Sequence, residues 1–280
     1  MYTIVLANQK GGVAKTTSAA NLGAALAMRG RRVLLVDLDP QANLSEAFGV
    51  DDVRHADALG RAFVDDILWP GSDIEPRRAL WTDRPIGTAD ERCQDTEPLP
   101  AGVHLIPCTD ALADAATALA AEPGAETRLA DALASFDGEY DACIVDTPPG
   151  IGALMTLALL AADGVIVPAR PADADIGGAI KMAQLIDDAA EQTNPGIQLL
   201  GVLVTQADGR WQVARETIEA LDAVGVRRLA VTIPAQVRVA KSPRYRSPIV
   251  VREPFGRVGS AYADLAHTID VHVLPPRAAG

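Results

Sequence analysis

Two lysines, Lys10 and Lys15, bracket the glycine pair Gly11-Gly12, and Thr16 and Thr17 follow directly. Glycines at such a turn let backbone N–H groups close on phosphate oxygens, and a helix starting there adds its partial positive charge. The backbone of Gly11, Gly12, Val13 and Ala14 would form the cradle. Lys15 would then bridge the β- and γ-phosphates, and the Thr16 hydroxyl would bind Mg²⁺. Lys10 is a second positive charge, at the mouth of the loop, that a phosphate cradle does not need.

Acids complete the set. Asp37 and Asp39 close the run "VLLVDLDPQAN", so one can orient water while the other holds a metal shell. With Pro40 next, an aspartate here can also serve as a turn former. "YDACIVDTPPG" carries a third acid, Asp146, at the end of an apolar run, the setting of a Mg²⁺-facing Walker B residue. The stiff Thr147-Pro148-Pro149-Gly150 after it could sense a γ-phosphate. No Ser/His/Asp or Cys/His set lies alongside, so the nucleophile would be water.

These groups need elements to hold them. Apolar runs at 3–7, 33–37, 103–107, 142–146, 164–168, 199–205 and 229–233 read as strands, each buried on both faces, with helical patterns between them. The expected fold is a doubly wound, mostly parallel α/β sheet with helices on both faces, with ligands at the C-terminal strand edge. "AKTTSAANLGAALAMRG" predicts a long helix behind the loop, ending at Gly30. Alanine stands at 14 where many such loops have glycine, and the expectation is ordinary dihedrals there. The alanine-rich 111–134 segment predicts two helices divided by Pro123-Gly124. Residues 50–100, rich in Asp, Arg, Pro and Trp, read as a surface excursion with one short helix, so 1–280 is expected to be a single ATPase domain.

The chain of 280 residues carries a net charge of −12, which speaks against nucleic acid as a partner. Its distribution speaks otherwise. Between Gly225 and Arg257 lie eight basic residues and one acid, either a phosphate-contacting surface or a solvated basic face. Cys93, Cys108 and Cys143 form no CxxC pair and read as buried apolar residues of a reducing cytoplasm. No signal peptide or membrane-length apolar run is evident.

"NQKGGVAKTT", "DLDPQAN" and "DTPPG" in this order resemble the ParA/Soj family of DNA-partitioning ATPases, with its deviant Walker A loop. "GVLVTQADGR" and "TIPAQVRVAKSPRYRSPIVV" extend the resemblance over essentially the whole chain. The resemblance implies that Lys10 crosses to a second subunit, so that two monomers sandwich two ATP molecules as a homodimer. It implies that Thr17 is a phosphate contact, Asp39 the residue needed for hydrolysis, Asp37 its switch neighbour, and Asp146 the Walker B acid, with Thr16, Asp39 and Asp146 around Mg²⁺. Thr205-Gln206-Ala207-Asp208 has the outline of a guanine-reading [NT]KxD sequence without its lysine, which favours ATP, and Pro234 is placed against the base.

The resemblance further implies DNA binding without sequence preference through Arg210 and Arg238, extended by Lys241, Arg244 and Arg246. Lys241 stands where the family commonly has glutamate, a reversed charge. A ParB-like centromere-binding partner, a cytoplasmic, nucleoid-associated location and plasmid or chromosome partitioning are the implied biology. Positioning or regulation of another cargo is the alternative. MinD-like membrane cycling fits less well, since "VHVLPPRAAG" makes no basic amphipathic helix. Starting at the first strand, the chain reads as the short type, without an N-terminal helix-turn-helix domain.

Overall fold

The computed structural model describes residues 1–50, 101–109, 111–207, 211–236 and 247–276. The expected helix in 50–100, Cys93 and the basic positions 210, 238, 241, 244 and 246 lie outside the described residues.

Seven strands form one sheet in the order β3-β2-β4-β1-β5-β6-β7, and every neighbouring pair is parallel. They are β1 (Tyr2–Leu6), β2 (Val33–Asp37), β3 (Val103–Ile106), β4 (Ala142–Asp146), β5 (Gly164–Ala169), β6 (Gln198–Ala207) and β7 (Arg228–Pro234). Parallel strands need long crossovers, and helices supply them: α1 (Lys15–Met28), α2 (Asn43–Ala47), α3 (Ala111–Ala121), α4 (Arg128–Ala134), α5 (Ala153–Ala161), α6 (Asp173–Gln192), α7 (Trp211–Ala223), α8 (Ile249–Arg252) and α9 (Arg257–His272). A short 3₁₀ turn, Ala125–Thr127, follows Pro123-Gly124 and parts α3 from α4.

Two cores result, one per face. Because strand residues alternate sides, Val5, Leu34 and Val36 pack with α3 to α6, whereas Ile4, Leu6, Val33 and Leu35 pack with α1, α8 and α9. Each central strand therefore needs apolar residues at every position, and β2, β4 and β5 are buried throughout. The two edge strands depart from that expectation. Val103 and His104 of β3 are only partly buried, and in β7 only Leu229 and Ile233 are buried, because among the described residues each has a neighbouring strand on one side alone.

α1 is buried along most of its length and is pinned from the second core. Asn21 Nδ2 donates to the Thr17 carbonyl, while its Oδ1 accepts the Val250 N–H at 2.9 Å. Ser18 Oγ and the buried Tyr262 hydroxyl lie 3.1 Å apart. Across this core Asp270 takes Arg31 Nε at 2.6 Å and Arg29 Nε at 2.9 Å, fastening α9 to the end of α1.

Candidate functional site

Strand order places the chemistry. β1 lies between β4 and β5, so the loop after β1 emerges beside the ends of both. Leu6, Asp146 and Asp37 are register neighbours across β1, β4 and β2. The three segments singled out in the sequence thus meet at one sheet edge.

The loop is held by side chains on all sides. Asn8, fully buried, donates to the Pro168 carbonyl at the end of β5 and accepts the Lys10 N–H. Thr205 Oγ1 donates to the Val13 carbonyl at 3.0 Å, and Gln206 Nε2 to the Gly12 carbonyl at 2.8 Å. Gly12 has φ 74, where glycine is at ease. Ala14 has φ 69 and ψ 34, left-handed, which corrects the expectation of ordinary dihedrals. The reason is geometric. The chain must reverse into α1 at this residue, whose carbonyl accepts the Ser18 N–H, so alanine tolerates the strain.

Lys15 is buried and turns its ammonium inward to the Lys10 carbonyl at 3.1 Å. Burial lowers its pKa, and Asp146 and Asp39 oppose that fall. Lys10 points elsewhere, to Asp175 Oδ1 on α6 at 2.6 Å. Thr16 and Thr17 begin α1 and are partly exposed beside the loop.

The acids differ in preparation. Asp37 is fully buried; its Oδ2 accepts both the N–H and the Oγ–H of Ser45 at 2.7 Å, and its Oδ1 accepts the Asp39 N–H. Burial, more than those bonds can offset, pushes its pKa up to about 6. Asp39 accepts the Gln41 N–H and faces the cleft. Asp146 is fully buried; the Thr16 hydroxyl bears on its carboxylate, but neither oxygen has a hydrogen-bond partner of normal geometry. Burial and the Asp37 carboxylate raise its pKa well above the carboxylate range, against the pull of Thr16 and Lys15. A buried acid without such partners is unstable alone and suits a cation. Among the described residues no three His, Cys, Asp or Glu side chains form a ready cage. Mg²⁺ takes one or two protein ligands plus phosphate and water, and Asp146 can supply one.

The loop separates two open clefts of about 390 Å³ each. One runs past Lys15, Thr16, Asp39, Gln41, Pro149 and Pro248, and it suits the phosphate end of a nucleotide. The other is lined by Thr17, Thr205, Gln206, Ile233, Pro234 and Tyr262, which puts Pro234 at the cleft expected to take the base. Gln206, like Ala14, is left-handed, with φ 52.

A family model described as an AAA domain matches residues 1–199. The chromosome-partitioning ATPase Soj of Thermus thermophilus is 36% identical over 271 residues, 96% of each chain. The chain belongs to the Soj/ParA family of P-loop ATPases. Other Soj/ParA relatives include the sporulation initiation inhibitor protein Soj of Bacillus subtilis, 33% identical over 95% of this chain and 97% of that one. The crystal structure of cobyrinic acid a,c-diamide synthase from Mycobacterium smegmatis, with bound ATP analog and magnesium, superposes with TM-score 0.76. It is 33% identical, covering 96% of this chain and 94% of that one. The Pyrococcus furiosus cell division ATPase MinD shares the fold at TM-score 0.70 and 22% identity, over 96% and 98% of the two chains. Within this Soj/ParA chain, sequence reasoning missed Asn8, Ser45, Arg170 and Asp175. Asn8 adjoins the loop and was open to notice; Ser45 lies only eight residues past Asp37 but in no motif, and Arg170 and Asp175 are far in sequence from the loop they meet.

Proposed function

We propose that this protein is an ATP-dependent dimerising switch that binds double-stranded DNA without sequence preference and partitions a plasmid or chromosome with a ParB-like partner. The observation that carries the reading is the parting of the two loop lysines. Lys15 turns into its own loop, while Lys10 leaves it and pairs, half-buried, with Asp175 on α6. A cation turned away from its own phosphate loop would, once passed to a nucleotide in a second subunit, neutralise phosphate charge only in the dimer.

In this reading Lys15 holds the β- and γ-phosphates, and Thr17 and the loop backbone fix their oxygens. Thr16, Asp39 and Asp146 hold Mg²⁺, which when bound offsets charge on the phosphate oxygens. Asp39, already at the cleft, orients the attacking water. Pro234 and the backbone near it bear on adenine. The basic residues Arg210, Arg238, Lys241, Arg244 and Arg246 contact DNA phosphates, and the protein works in the cytoplasm on the nucleoid. Among the described residues no helix is long and apolar enough to cross a membrane.

The test is binding to random-sequence duplex DNA with ATP, ADP and no nucleotide, at two salt concentrations. Binding that requires ATP and weakens with salt is the expected result. No binding in any condition would remove the DNA half and leave positioning of another cargo as the better reading.

A further inference from the structure

Asp175 takes two cations at once. Its Oδ1 accepts Lys10 Nζ and its Oδ2 accepts Arg170 Nε, both at 2.6 Å. The carboxylate is buried, with 2% of its side chain exposed, whereas Lys10 is 37% and Arg170 45% exposed. Asp175 also lies in the first turn of α6, where the helix favours a negative charge. Burial opposes ionisation, but Arg170 and then Lys10 outweigh it and hold the carboxyl below its usual range. The stem of Lys10 passes over Gly178, where an added Cβ would meet Lys10 Cγ at 4.0 Å. Lys10 is further fixed at its backbone through Asn8.

We infer that Asp175 is a positioning residue that docks Lys10 inside its own subunit and hands it over when a second subunit arrives, with Arg170 making the release reversible. The inference rests on the dimer reading above. Taking Lys10 from a carboxylate with no other partner would strand a buried charge, a heavy penalty. Arg170 keeps its hydrogen bond to the other oxygen, so the carboxylate stays paired when Lys10 leaves. Docking therefore raises the threshold for dimer formation without forbidding it. It also keeps the unengaged ammonium from folding back onto the phosphates of its own site.

The two partners of Asp175 should shift the threshold in opposite directions. Asp175→Asn removes the charge that holds Lys10, and should tighten the dimer formed with a non-hydrolysable ATP analogue by about tenfold. Arg170→Gln leaves Lys10 as the last cation on the carboxylate, and should weaken that dimer by a similar factor. A residue that only supports the fold would weaken the dimer in both variants. That outcome, or no change in either, overturns the proposal. Asp175→Glu, which retains the charge, should restore a threshold nearer wild type.

Lys10 acylation in the nucleotide-free protein, followed by peptide mass spectrometry, reads the docking without any dimer. Lys10 should label several-fold faster in Asp175→Asn than in wild type, and equal labelling overturns the docking. If labelling responds as expected but ATP produces no dimer in wild type, the docking stands, the dimer reading fails, and the hand-over falls with it.

Discussion

Asp37 and Asp146 are register partners at the C-terminal ends of β2 and β4, both fully buried, yet only Asp37 accepts hydrogen bonds of normal geometry. Ser45 satisfies Asp37 twice, and in doing so ties the sheet to α2. Thr16 and Lys15 bear on Asp146, but no hydrogen bond of normal geometry reaches its buried carboxylate, which lies beside a like group. The site is thus electrostatically strained on one side of the pair, the side expected to face Mg²⁺.

Asp146→Asn should relieve that strain. The nucleotide-free variant should be more stable than wild type at neutral pH by about 1–3 kcal/mol, since folding must either bury the Asp146 charge beside Asp37 or draw a proton onto it, and an amide needs neither. It should also lose Mg²⁺-dependent ATP turnover. Thermal unfolding and an ATPase assay on one preparation check both halves; a less stable variant would mean that Asp146 is not strained.

The two loop lysines should separate by phenotype. Lys15→Ala removes the ammonium turned in to the Lys10 carbonyl, the proposed phosphate ligand, and should weaken nucleotide binding by at least about tenfold. Lys10→Ala should retain nucleotide but lose the ATP-dependent dimer and its turnover. Nucleotide titration with light scattering distinguishes them, and equal loss of nucleotide affinity in both would argue against separate roles.

Ala14→Gly should stabilise the protein by about 0.5–1 kcal/mol, because a left-handed φ of 69 is free for glycine and strained for alanine. Ala14→Val, β-branched at the same φ, should be destabilising. Chemical denaturation of the pair gives the sign; a stabilising valine would place the residue outside the left-handed region.

Asp270 is opposed by burial but held below the usual carboxylate range by Arg31 and then Arg29. Its folded pKa is depressed, so its contribution is complete above the ordinary carboxylate range and is lost as pH falls through the lower folded value. Asp270→Asn should cost about 2–3 kcal/mol at neutral pH and flatten the acid limb of the stability profile. Denaturation midpoints from pH 7 down to 3 test it, and an unchanged acid limb would assign the acid sensitivity to other groups.

Much of the site was readable because it is local. Lys10, Lys15, Thr16 and Thr17 share one turn, and a strand-like run before it and a helical one after fix where that turn lies. All seven strands were legible because a sheet covered by helices demands unbroken apolar runs, which few other environments do. β7 was misjudged for the same reason. Its residues are apolar enough to be covered, but being last in the order is not written in its own seven residues.

The sequence by itself determined the strands, the phosphate loop and the acids that end β2 and β4, because each depends on neighbours within a few positions. The tertiary structure alone decided that Asp175, 165 residues from Lys10, would take its ammonium. It also decided that Asp37 would be satisfied by Ser45 while Asp146 would not, and that Ala14 would turn left-handed. Strand order sets which loops and helix starts share an edge. A hydrogen bond or ion pair forms only after that order has brought the two groups within about 3 Å.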